Sequence, residues 1–280
     1  MLKTNYHTHS TFCDGKDTPD QIAQTAISKG FDILGFSSHS MYPFASTWHI
    51  APNSFEDYIK SIRDVKKKYD GRLKILMGFE ADYIPGVTEP DFSYYKKLKP
   101  DYLIGSVHYV FTEKGRLAVD YSADLLKEKI DELFNGSAKK LTCEYFALER
   151  KMLSECSFTI LGHPDLIRKN NKALSLFDEN ESWYRKEIKA LADSIKKAGV
   201  IAEVNTGAIS RGYMDGVYPS DELLSLLCQG HVPVTISSDA HDADNIDSNF
   251  DLALSAIKKA GYSELAFIDS DLQVKFQKIQ

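Results

Sequence analysis

Short apolar runs alternate with longer amphipathic stretches along the whole chain, and this alternation is the feature that most restricts the fold. We interpret seven runs as buried strands: TNYHTH, DILGFSSH, KILMGFE, YLIGSVHY, FTILGHP, VIAEVNTG and VPVTISSD. A weaker eighth run, LAFID, lies near the C-terminus. Near-continuous apolar runs are typical of parallel strands that are covered on both faces. The repeated strand-then-helix order predicts an α/β barrel of seven or eight units.

The amphipathic stretches predict the helices of this barrel. The first helix is TPDQIAQTAISKG, with Thr18 as its N-cap and Gly30 as its stop, and the second opens after Asn53. Further helices are predicted over residues 122–134, 138–154, 181–198, 220–229 and 248–260. No low-complexity linker interrupts the pattern, so we expect a single domain over residues 1–280.

Charge and cysteine content restrict the class of function. The chain has 280 residues with 34 Lys and Arg against 40 Asp and Glu, a net charge of −6. Its lysine pairs fall in helical segments, so a nucleic-acid partner is not favoured. We find no membrane-spanning stretch, no signal peptide and no CxxC pair among the four cysteines. We therefore expect a cytoplasmic protein with no membrane partner, while its oligomeric state stays open.

Six of the eight histidines lie at the C-terminal ends of the predicted strands: His7, His9, His39, His108, His163 and His241. The C-terminal strand ends of a barrel converge on one mouth, so these imidazoles are expected to meet there. Carboxylates accompany them, with Asp14 in the CDGK turn, Glu80 at the third strand end and Asp239 two residues before His241. This convergence favours a metal centre over incidental surface histidines.

The number of candidate ligands exceeds what one ion needs. They are His7, His9, Asp14, His39, Glu80, His108, His163, Asp239 and His241. One catalytic zinc needs three protein ligands, whereas nine ligands suit two or three divalent ions. Mixed imidazole and carboxylate ligation fits Zn, Fe or Mn better than Mg or Ca, without choosing among those three. Asp14 is interpreted either as a ligand or as a turn residue, and the two roles are compatible.

Six motifs occur in an order that resembles the PHP superfamily, the polymerase and histidinol phosphatase group of distorted (β/α)7 barrels. They are HTHS, SSHS, GFE, GSVHY, GHPD and SDAH. Within the superfamily, GSVHYV, GHPDLIRK, EVNTGAISRG and YPSDELL are most similar to the histidinol-phosphate phosphatases. The resemblance implies a TIM-like (β/α)7 barrel that hydrolyses a small phosphate ester, L-histidinol phosphate, by attack of a metal-bound hydroxide. The alternative is a PHP-type phosphoesterase or nuclease that acts on another phosphorylated substrate.

The resemblance also implies three sets of metal ligands. The first set is His7, His9, Glu80 and Asp239; the second is Glu80 as a bridge with His108 and His163; the third is Asp14, His39 and His241. Some members of the superfamily carry a histidine where Asp14 stands. Glu80, Asp239 and His241 are expected to be the catalytic side chains, with Asp239 and His241 best placed to protonate the leaving oxygen.

Three loop arginines are candidates for holding the phosphate, and we expect at least two of them to do so. Arg116, Arg168 and Arg211 lie five to eight residues past a strand end. The planar fork of arginine matches phosphate oxygens bidentately. Asn205, at the sixth strand end, is expected to contact substrate or to fix a loop. The aromatic segment MYPFASTWHI is interpreted either as a cover for the substrate's imidazole or as packing on the barrel rim.

Overall fold

Parallel strands form a nearly closed barrel at the centre of the computed structural model, which describes residues 1–279. The strands are β1 (Thr4–Asn5), β2 (Ile33–Phe36), β3 (His39–Ser40), β4 (Lys74–Asp82), β5 (Tyr102–Ser106), β6 (Tyr109–Thr112), β7 (Gly115–Ala118), β8 (Ile160–Leu161), β9 (Ile201–Asn205), β10 (Val234–Ser237), β11 (Glu264–Ile268) and β12 (Val274–Lys278). Seven of them follow the order β1-β2-β4-β5-β8-β9-β10, each parallel to the next, and β3 pairs with β4. The predicted distorted (β/α)7 barrel is confirmed.

The barrel closes between the segments that extend β1 and β10. Thr8 and Ala240 form a parallel bridge there. The His9 amide donates to the Ala240 carbonyl at 2.8 Å, and the Ala240 amide donates to the His7 carbonyl at 3.3 Å. We call this closure, residues 7–9 with 239–241, the seam. It brings two histidine-rich segments from opposite ends of the sequence into contact.

The helices surround this barrel; seven lie close to their predicted positions, and the short helices α5 and α7 were not predicted. They are α1 (Pro19–Ser28), α2 (Phe55–Lys68), α3 (Ala123–Phe134), α4 (Ala138–Glu155), α5 (Asn171–Leu174), α6 (Ser182–Ala198), α7 (Gly207–Ser210), α8 (Asp221–Gln229) and α9 (Phe250–Ala260). Thr18 caps α1 in a capping box with Gln21, as the sequence indicates. Asn135, in the left-handed conformation, ends α3 and produces the predicted break before α4.

Three regions differ from a regular series of strand–helix units, and the first is the antiparallel hairpin of β6 and β7 after β5. The connection from β4 to β5, residues 83–101, contains turns in place of an α-helix. The LAFID run forms β11 but pairs antiparallel with β12 outside the barrel path, so it is not an eighth barrel strand. Ala266 and Ile268 of β11 pack in one buried cluster with barrel residues that include Tyr6. The Ile268 amide donates to the Tyr6 hydroxyl at 2.8 Å, so β11 covers the N-terminal end of the barrel.

The first predicted strand is shorter than expected because a side chain replaces a ladder partner. Asn5 Oδ1 accepts a hydrogen bond from the His7 amide at 3.0 Å, and regular pairing stops at Asn5. The chain then stays beside β2 through the Thr8 carbonyl, which accepts from the Ser37 amide at 3.0 Å. Among residues 1–279, no helix is long and apolar enough to cross a membrane.

Candidate metal centre

The nine predicted ligands converge at the C-terminal ends of the barrel strands, and we call them together the histidine–carboxylate centre. Four groups within it bring one donor atom of each side chain within 4.8 Å of the others. The groups are His9, Asp14, His39 and His241; His7, His9 and Asp239; His7, Glu80 and His163; and His39, Glu80 and His108. All but Asp14 and His241 are buried. The strand-end positions thus place all nine side chains in one cluster.

Glu80 lies at the middle of the centre. Its Oε2 is 3.1 Å from His7 Nε2 and 2.6 Å from His39 Nδ1. Its Oε1 is 2.9 Å from His163 Nε2 and 3.4 Å from His108 Nε2. Both carboxylate oxygens therefore face imidazole nitrogens from different strands, as a bridging ligand requires.

A second group lies nearer the surface, around Asp14. Asp14 Oδ2 is 3.3 Å from His241 Nε2, and its Oδ1 is 3.7 Å from His39 Nε2. The rings of His39 and His241 each lie 4.1 Å from the His9 ring. This group contains the third ligand set that the resemblance implies, with His9 added to it.

The other two implied sets are only partly reproduced. His7, His9 and Asp239 form a group, and Glu80 Oε2 lies 3.1 Å from His7 and 3.6 Å from His9, as in the first set. The second set is divided, because His163 groups with Glu80 and His7 whereas His108 groups with Glu80 and His39. Glu80 belongs to both groups, as a bridging ligand would.

Close backbone approach at Gly15 places Asp14 beside the histidines. The Gly15 amide donates to the Ser10 carbonyl at 3.1 Å. A Cβ atom at Gly15 would lie 2.5 Å from the Ser10 nitrogen, so a side chain would push the turn away from the barrel. Asp14 is thus a turn residue whose carboxylate points at imidazoles, which agrees with both interpretations of the CDGK motif.

Asp239 takes a strained backbone conformation at the other side of the seam. Its φ of 50° lies in the left-handed region that non-glycine residues seldom adopt. Arg211 holds it, since Nη1 donates to the Asp239 carbonyl and Nη2 to Oδ2, each at 2.9 Å. Gly207 leaves room for both groups, because a Cβ atom there would lie 2.8 Å from Asp239 Oδ2 and from Arg211 Nη2.

Two buried carboxylates that the sequence analysis missed support the ligands from outside the nine. Glu203, on β9, has Oε2 2.9 Å from His7 Nδ1, and its Oε1 accepts from the His163 amide at 2.7 Å. Asp82, at the end of β4, has Oδ1 2.6 Å from His108 Nδ1. Partners of this kind fix the tautomer and orientation of a ligating histidine. The spacing of these carboxylates along their strands could have indicated them. Alternate residues of a strand share a face, and Asp82 lies two residues after Glu80, while Glu203 lies two residues before Asn205.

The ionisable side chains of the centre shift one another's pKa values. Although burial opposes its ionisation, His39 and His7 hold the pKa of the Glu80 carboxyl well below its usual range. Burial also opposes charge on His108, but Asp82 and Glu80 raise its pKa to about 10. The carboxylates are therefore ionised and some imidazoles keep protons. A divalent cation that binds here must displace those protons.

A cavity of about 430 Å³ opens onto the centre. Side chains of the centre line it, together with residues outside the centre that include Trp48, Asp120, Tyr121, Lys169 and Tyr213. Lys169 Nζ donates to the Asp120 carbonyl at 2.7 Å. This volume lies in the range of sites for small molecules. The lining therefore combines metal-ligand-type side chains with aromatic rings and a further carboxylate.

The three predicted arginines lie in different places, and the structure brings only Arg211 to the cavity. The Arg168 Nε donates to Glu179 Oε2 at 2.9 Å and Nη1 donates to Asp165 Oδ2 at 3.4 Å. Arg116 is exposed on β7, with its guanidinium 5.5 Å from the centroid of the Tyr109 ring. Arg168 and Arg116 are outside the cavity lining, because carboxylates and an aromatic face hold them elsewhere.

Asn205 is buried, and both its amide nitrogen and its amide oxygen form hydrogen bonds. Its Nδ2 donates to Glu203 Oε1 at 2.8 Å, and its Oδ1 accepts from the Gly207 amide at 2.8 Å. Of the two roles left open, this geometry favours fixing the loop, and it also orients Glu203.

The aromatic segment after His39 is divided between the two interpretations. Trp48 lines the cavity and stacks on Tyr109 with ring centroids 5.8 Å apart. Tyr42 instead packs against Phe55 at 5.2 Å, and Phe44 is exposed. Trp48 of this segment therefore faces the cavity, while Tyr42 packs on the rim and Phe44 faces solvent.

Comparison with known proteins agrees with this geometry. The PHP domain family model matches residues 5–207. The "Probable histidinol-phosphatase" of Schizosaccharomyces pombe is 27% identical over 279 residues, which covers 94% of this chain and 88% of the relative. The "Histidinol-phosphatase" of Bacillus subtilis is 29% identical over 266 residues, 88% of this chain and 96% of the relative. The fold is similar to histidinol phosphate phosphatase from Lactococcus lactis complexed with zinc, L-histidinol and phosphate, with a TM-score of 0.73, 19% identity and 98% of both chains covered.

Proposed function

The chain belongs to the PHP domain family, and from this membership and its site we propose that it hydrolyses L-histidinol phosphate to L-histidinol and inorganic phosphate. This is the phosphatase step of histidine biosynthesis. The observation that carries the proposal is a cavity lined both by side chains of the histidine–carboxylate centre and by a carboxylate, Asp120, with aromatic rings. A centre that binds several divalent ions selects a phosphoryl group. The lining residues outside the centre then contact the organic part of the substrate.

Buried polar atoms without hydrogen bonds indicate that divalent ions fit the centre. Glu80 Oε2 lies 3.1 Å from His7 Nε2 and 2.6 Å from His39 Nδ1, yet these three buried atoms form no hydrogen bond of acceptable geometry among residues 1–279. Buried polar atoms are almost always partnered, so these three indicate that a cation completes the site. We assign the nine residues of the centre as ligands of two or three Zn, Fe or Mn ions. When bound, such ions lower the pKa of water and neutralise the charge of the phosphate.

Arg211 is the side chain that we assign to the non-bridging phosphate oxygens. It lines the cavity beside Asp239 and His241, with Nη1 3.2 Å from His241 Nδ1. Its planar guanidinium offers parallel N–H groups that match two phosphate oxygens. Its bonds to Asp239 hold the fork in a fixed direction, so the phosphate is oriented as well as bound.

The leaving alkoxide needs a proton, and we assign its delivery to His241. Its side chain is 23% exposed on the cavity wall, whereas Asp239 is 6% exposed. Both Asp239 oxygens are engaged, Oδ1 with His9 Nε2 at 3.1 Å and Oδ2 with Arg211. Glu80 and Asp239 therefore act by holding the centre and its charge, and His241 delivers the proton to the leaving oxygen when its Nε2 is not bound to an ion.

Asp120 is the carboxylate that we assign to the substrate's ammonium group. Two other carboxylates line the cavity, and imidazole or guanidinium groups hold them: Asp14 near His241 and Asp239 on Arg211. In the described part of the chain, the Asp120 carboxylate has no hydrogen bond or ion pair. It is thus available to a cationic ligand, while Trp48 offers an aromatic face to an imidazole.

The test compares substrates on one sample of known metal content. Phosphate release is measured from L-histidinol phosphate, p-nitrophenyl phosphate and a short DNA, with elemental analysis of the same protein. We expect kcat/KM for L-histidinol phosphate to exceed the others by more than tenfold, worth about 1.4 kcal/mol of transition-state binding. A smaller preference would make the protein a general phosphatase, and preferential cleavage of DNA would favour the alternative of a PHP-type nuclease.

Asp120→Asn separates recognition of the ammonium group from the chemistry. The variant keeps the shape of the side chain but loses its charge. We expect its KM for L-histidinol phosphate to rise about tenfold, or about 1.4 kcal/mol, with unchanged kinetics on p-nitrophenyl phosphate, which has no ammonium group. Equal losses on both substrates would contradict this assignment.

We also propose that the protein acts in the cytoplasm. Its four cysteines, Cys13, Cys143, Cys156 and Cys228, are unpaired thiols in the structure, as is usual in a reducing compartment. Its proposed partner is the small phosphate ester, with neither nucleic acid nor a membrane as a partner. Cell fractionation with activity measured in each fraction tests the location, and the DNA arm above tests the first exclusion.

A further inference from the structure

His49 lies outside the strand ends, yet its imidazole reaches the edge of the histidine–carboxylate centre. The residue is buried, with 4% of its surface exposed. Its Nδ1 lies 2.7 Å from Ser46 Oγ, and its Nε2 contacts Asp82 Oδ2. Both ring nitrogens are therefore partnered, one within its own segment and one on the barrel.

Asp82 links His49 to His108, a residue of the centre. It follows Glu80 by two residues on β4, so both side chains lie on the same face. Asp82 Oδ1 lies 2.6 Å from His108 Nδ1, and the opposite nitrogen of that ring, Nε2, faces Glu80 Oε1 at 3.4 Å. Ser46, His49, Asp82 and His108 thus form one continuous series of hydrogen bonds, which we call the His49 chain.

The same short segment also builds the cavity wall. Trp48 precedes His49, and their ring centroids are 3.8 Å apart. The Trp48 ring meets His39 edge-on at 4.6 Å and His108 edge-on at 5.4 Å. Adjacent residues of one segment therefore contact the substrate cavity and the partner of a candidate metal ligand.

We propose that His49 is a positioning residue that couples metal binding at His108 to the placement of Trp48 on the cavity wall. The inference rests on the proposed function only in taking His108 as a metal ligand. A carboxylate on the outer nitrogen of a ligating histidine fixes its ring, and here that carboxylate is itself fixed by His49. Coupling between two sites is reciprocal. Metal binding therefore orders the Trp48 wall, and the anchored wall raises the affinity for metal.

The test follows Trp48 and zinc binding without any substrate. The chain has two tryptophans, so Trp183→Phe leaves Trp48 as the single indole fluorophore. This parent protein is stripped with EDTA and titrated with Zn²⁺ against a chromophoric chelator, and acrylamide quenching of Trp48 is measured along the titration. We expect zinc to lower the quenching constant of Trp48 in the parent.

Variants along the His49 chain should lose this protection and bind zinc more weakly. Asp82→Asn is expected to raise the free Zn²⁺ at half-loading by about 10- to 100-fold, as for other residues that orient a ligating histidine. In His49→Asn the side chain is too short to reach Asp82, and the free Zn²⁺ at half-loading should rise roughly three- to tenfold. The effect is smaller because His49 is one hydrogen bond further from His108 than Asp82 is. In His49→Gln the longer side chain brings an N–H donor closer to Asp82 than asparagine does. This variant should recover at least half of the difference in zinc affinity between His49→Asn and the parent.

A matched control separates this effect from the general loss of a histidine. His231→Asn replaces an exposed histidine in the turn before β10, remote from the centre, and should leave both measurements unchanged. If His49→Asn is unfolded by circular dichroism, His49→Phe is the second variant, because it retains a planar ring without N–H groups. Parental zinc affinity together with parental quenching in a folded His49 variant would overturn the inference. Failure to hydrolyse L-histidinol phosphate would leave these measurements untouched.

Discussion

Glu80 shows at the scale of single residues how the centre is organised. Its carboxylate lies within 3.6 Å of five imidazoles: His7, His9, His39, His108 and His163. It is 1% exposed, and the surrounding imidazoles keep it ionised despite burial. An anion at this point favours cations in both halves of the centre. Arg211 is also held by its neighbours, since two hydrogen bonds to Asp239 fix the direction of its guanidinium group at the cavity.

We predict that Glu80→Gln lowers bound metal and abolishes turnover. Removing the charge of a bridge weakens two sites at once, whereas His39→Asn should empty mainly the site near Asp14. Elemental analysis and phosphate release measured on the same samples check both variants. Full metal occupancy in the Glu80 variant would refute the bridging assignment.

Arg211→Lys should lower kcat/KM by roughly ten- to a thousandfold, about 1.4 to 4 kcal/mol of transition-state binding. The reason is that lysine keeps the charge but loses the bidentate fork. Metal content should stay intact. Arg168→Lys is the matched control: its partners are Asp165 and Glu179, so we expect near-normal kinetics and a loss of about 1–3 kcal/mol in unfolding free energy. Similar kinetic losses in both variants would show that the two arginines share the task.

At the scale of elements, α4 carries a buried acid that none of the proposed chemistry uses. Glu149 is fully buried, and the Tyr145 hydroxyl one turn earlier donates to its Oε1 at 2.8 Å. Its Oε2 has no hydrogen-bond partner among residues 1–279. Burial raises the pKa of Glu149 well above its usual value, because the charged form would lose its hydration. The helix therefore packs best with this carboxyl protonated.

We predict that Glu149→Gln changes the pH dependence of stability. When the pKa of a group is higher in the folded than in the unfolded protein, the protonated group stabilises the folded state. This contribution to the free energy of unfolding is complete below the unfolded-state pKa. It is lost as pH rises through the folded-state pKa, at about 1.4 kcal/mol per pH unit. Gln has the same shape and stays neutral, so the variant should gain in Tm relative to the parent between pH 5 and pH 8. Thermal unfolding of both proteins at fixed metal content measures this. A Tm difference that is constant over that range would contradict the buried-acid interpretation.

At the scale of the whole molecule, the centre coincides with the seam of the barrel. His7, His9, Asp239 and His241 flank the Thr8–Ala240 bridge on both sides. Ligands on both segments mean that a cation would join the two ends of the barrel. The expectation of a single domain over residues 1–280, of which residue 280 lies outside the described part, stays a prediction. It is supported by one barrel with an extended buried core.

Removal of metal should therefore destabilise the barrel at its seam. A ligand at about one hundred times its Kd stabilises by about 2.7 kcal/mol, so we expect EDTA to lower Tm by about 5–10 °C. Hydrogen exchange should accelerate at the His9 and Ala240 amides, which bond across the seam. The Ile268 amide, at the opposite end of the barrel, serves as the internal control. An unchanged Tm, or equal acceleration at all three amides, would contradict this prediction.

The sequence by itself determined the class of fold, the helices and the members of the centre. Strands buried on both faces need continuous apolar runs, and helices need a 3.6-residue period with caps such as Thr18. Both signals are local and therefore readable in one chain. Strand ends of a barrel share one mouth, so the position of a histidine at a strand end already indicated that it joins the others.

Only the tertiary structure decided how those residues are grouped and which neighbours support them. The division of His108 and His163 between two groups depends on ring positions: Asp82 holds the His108 ring at Nδ1, and Glu203 holds the His163 backbone amide. The difference between Arg168 and Arg211 depends on contacts across the fold, with Glu179 and Asp239 respectively. β11 left the barrel because it pairs with β12 and covers the barrel end. Periodicity and motif spacing carry no information on such contacts, since they form between groups far apart in the chain.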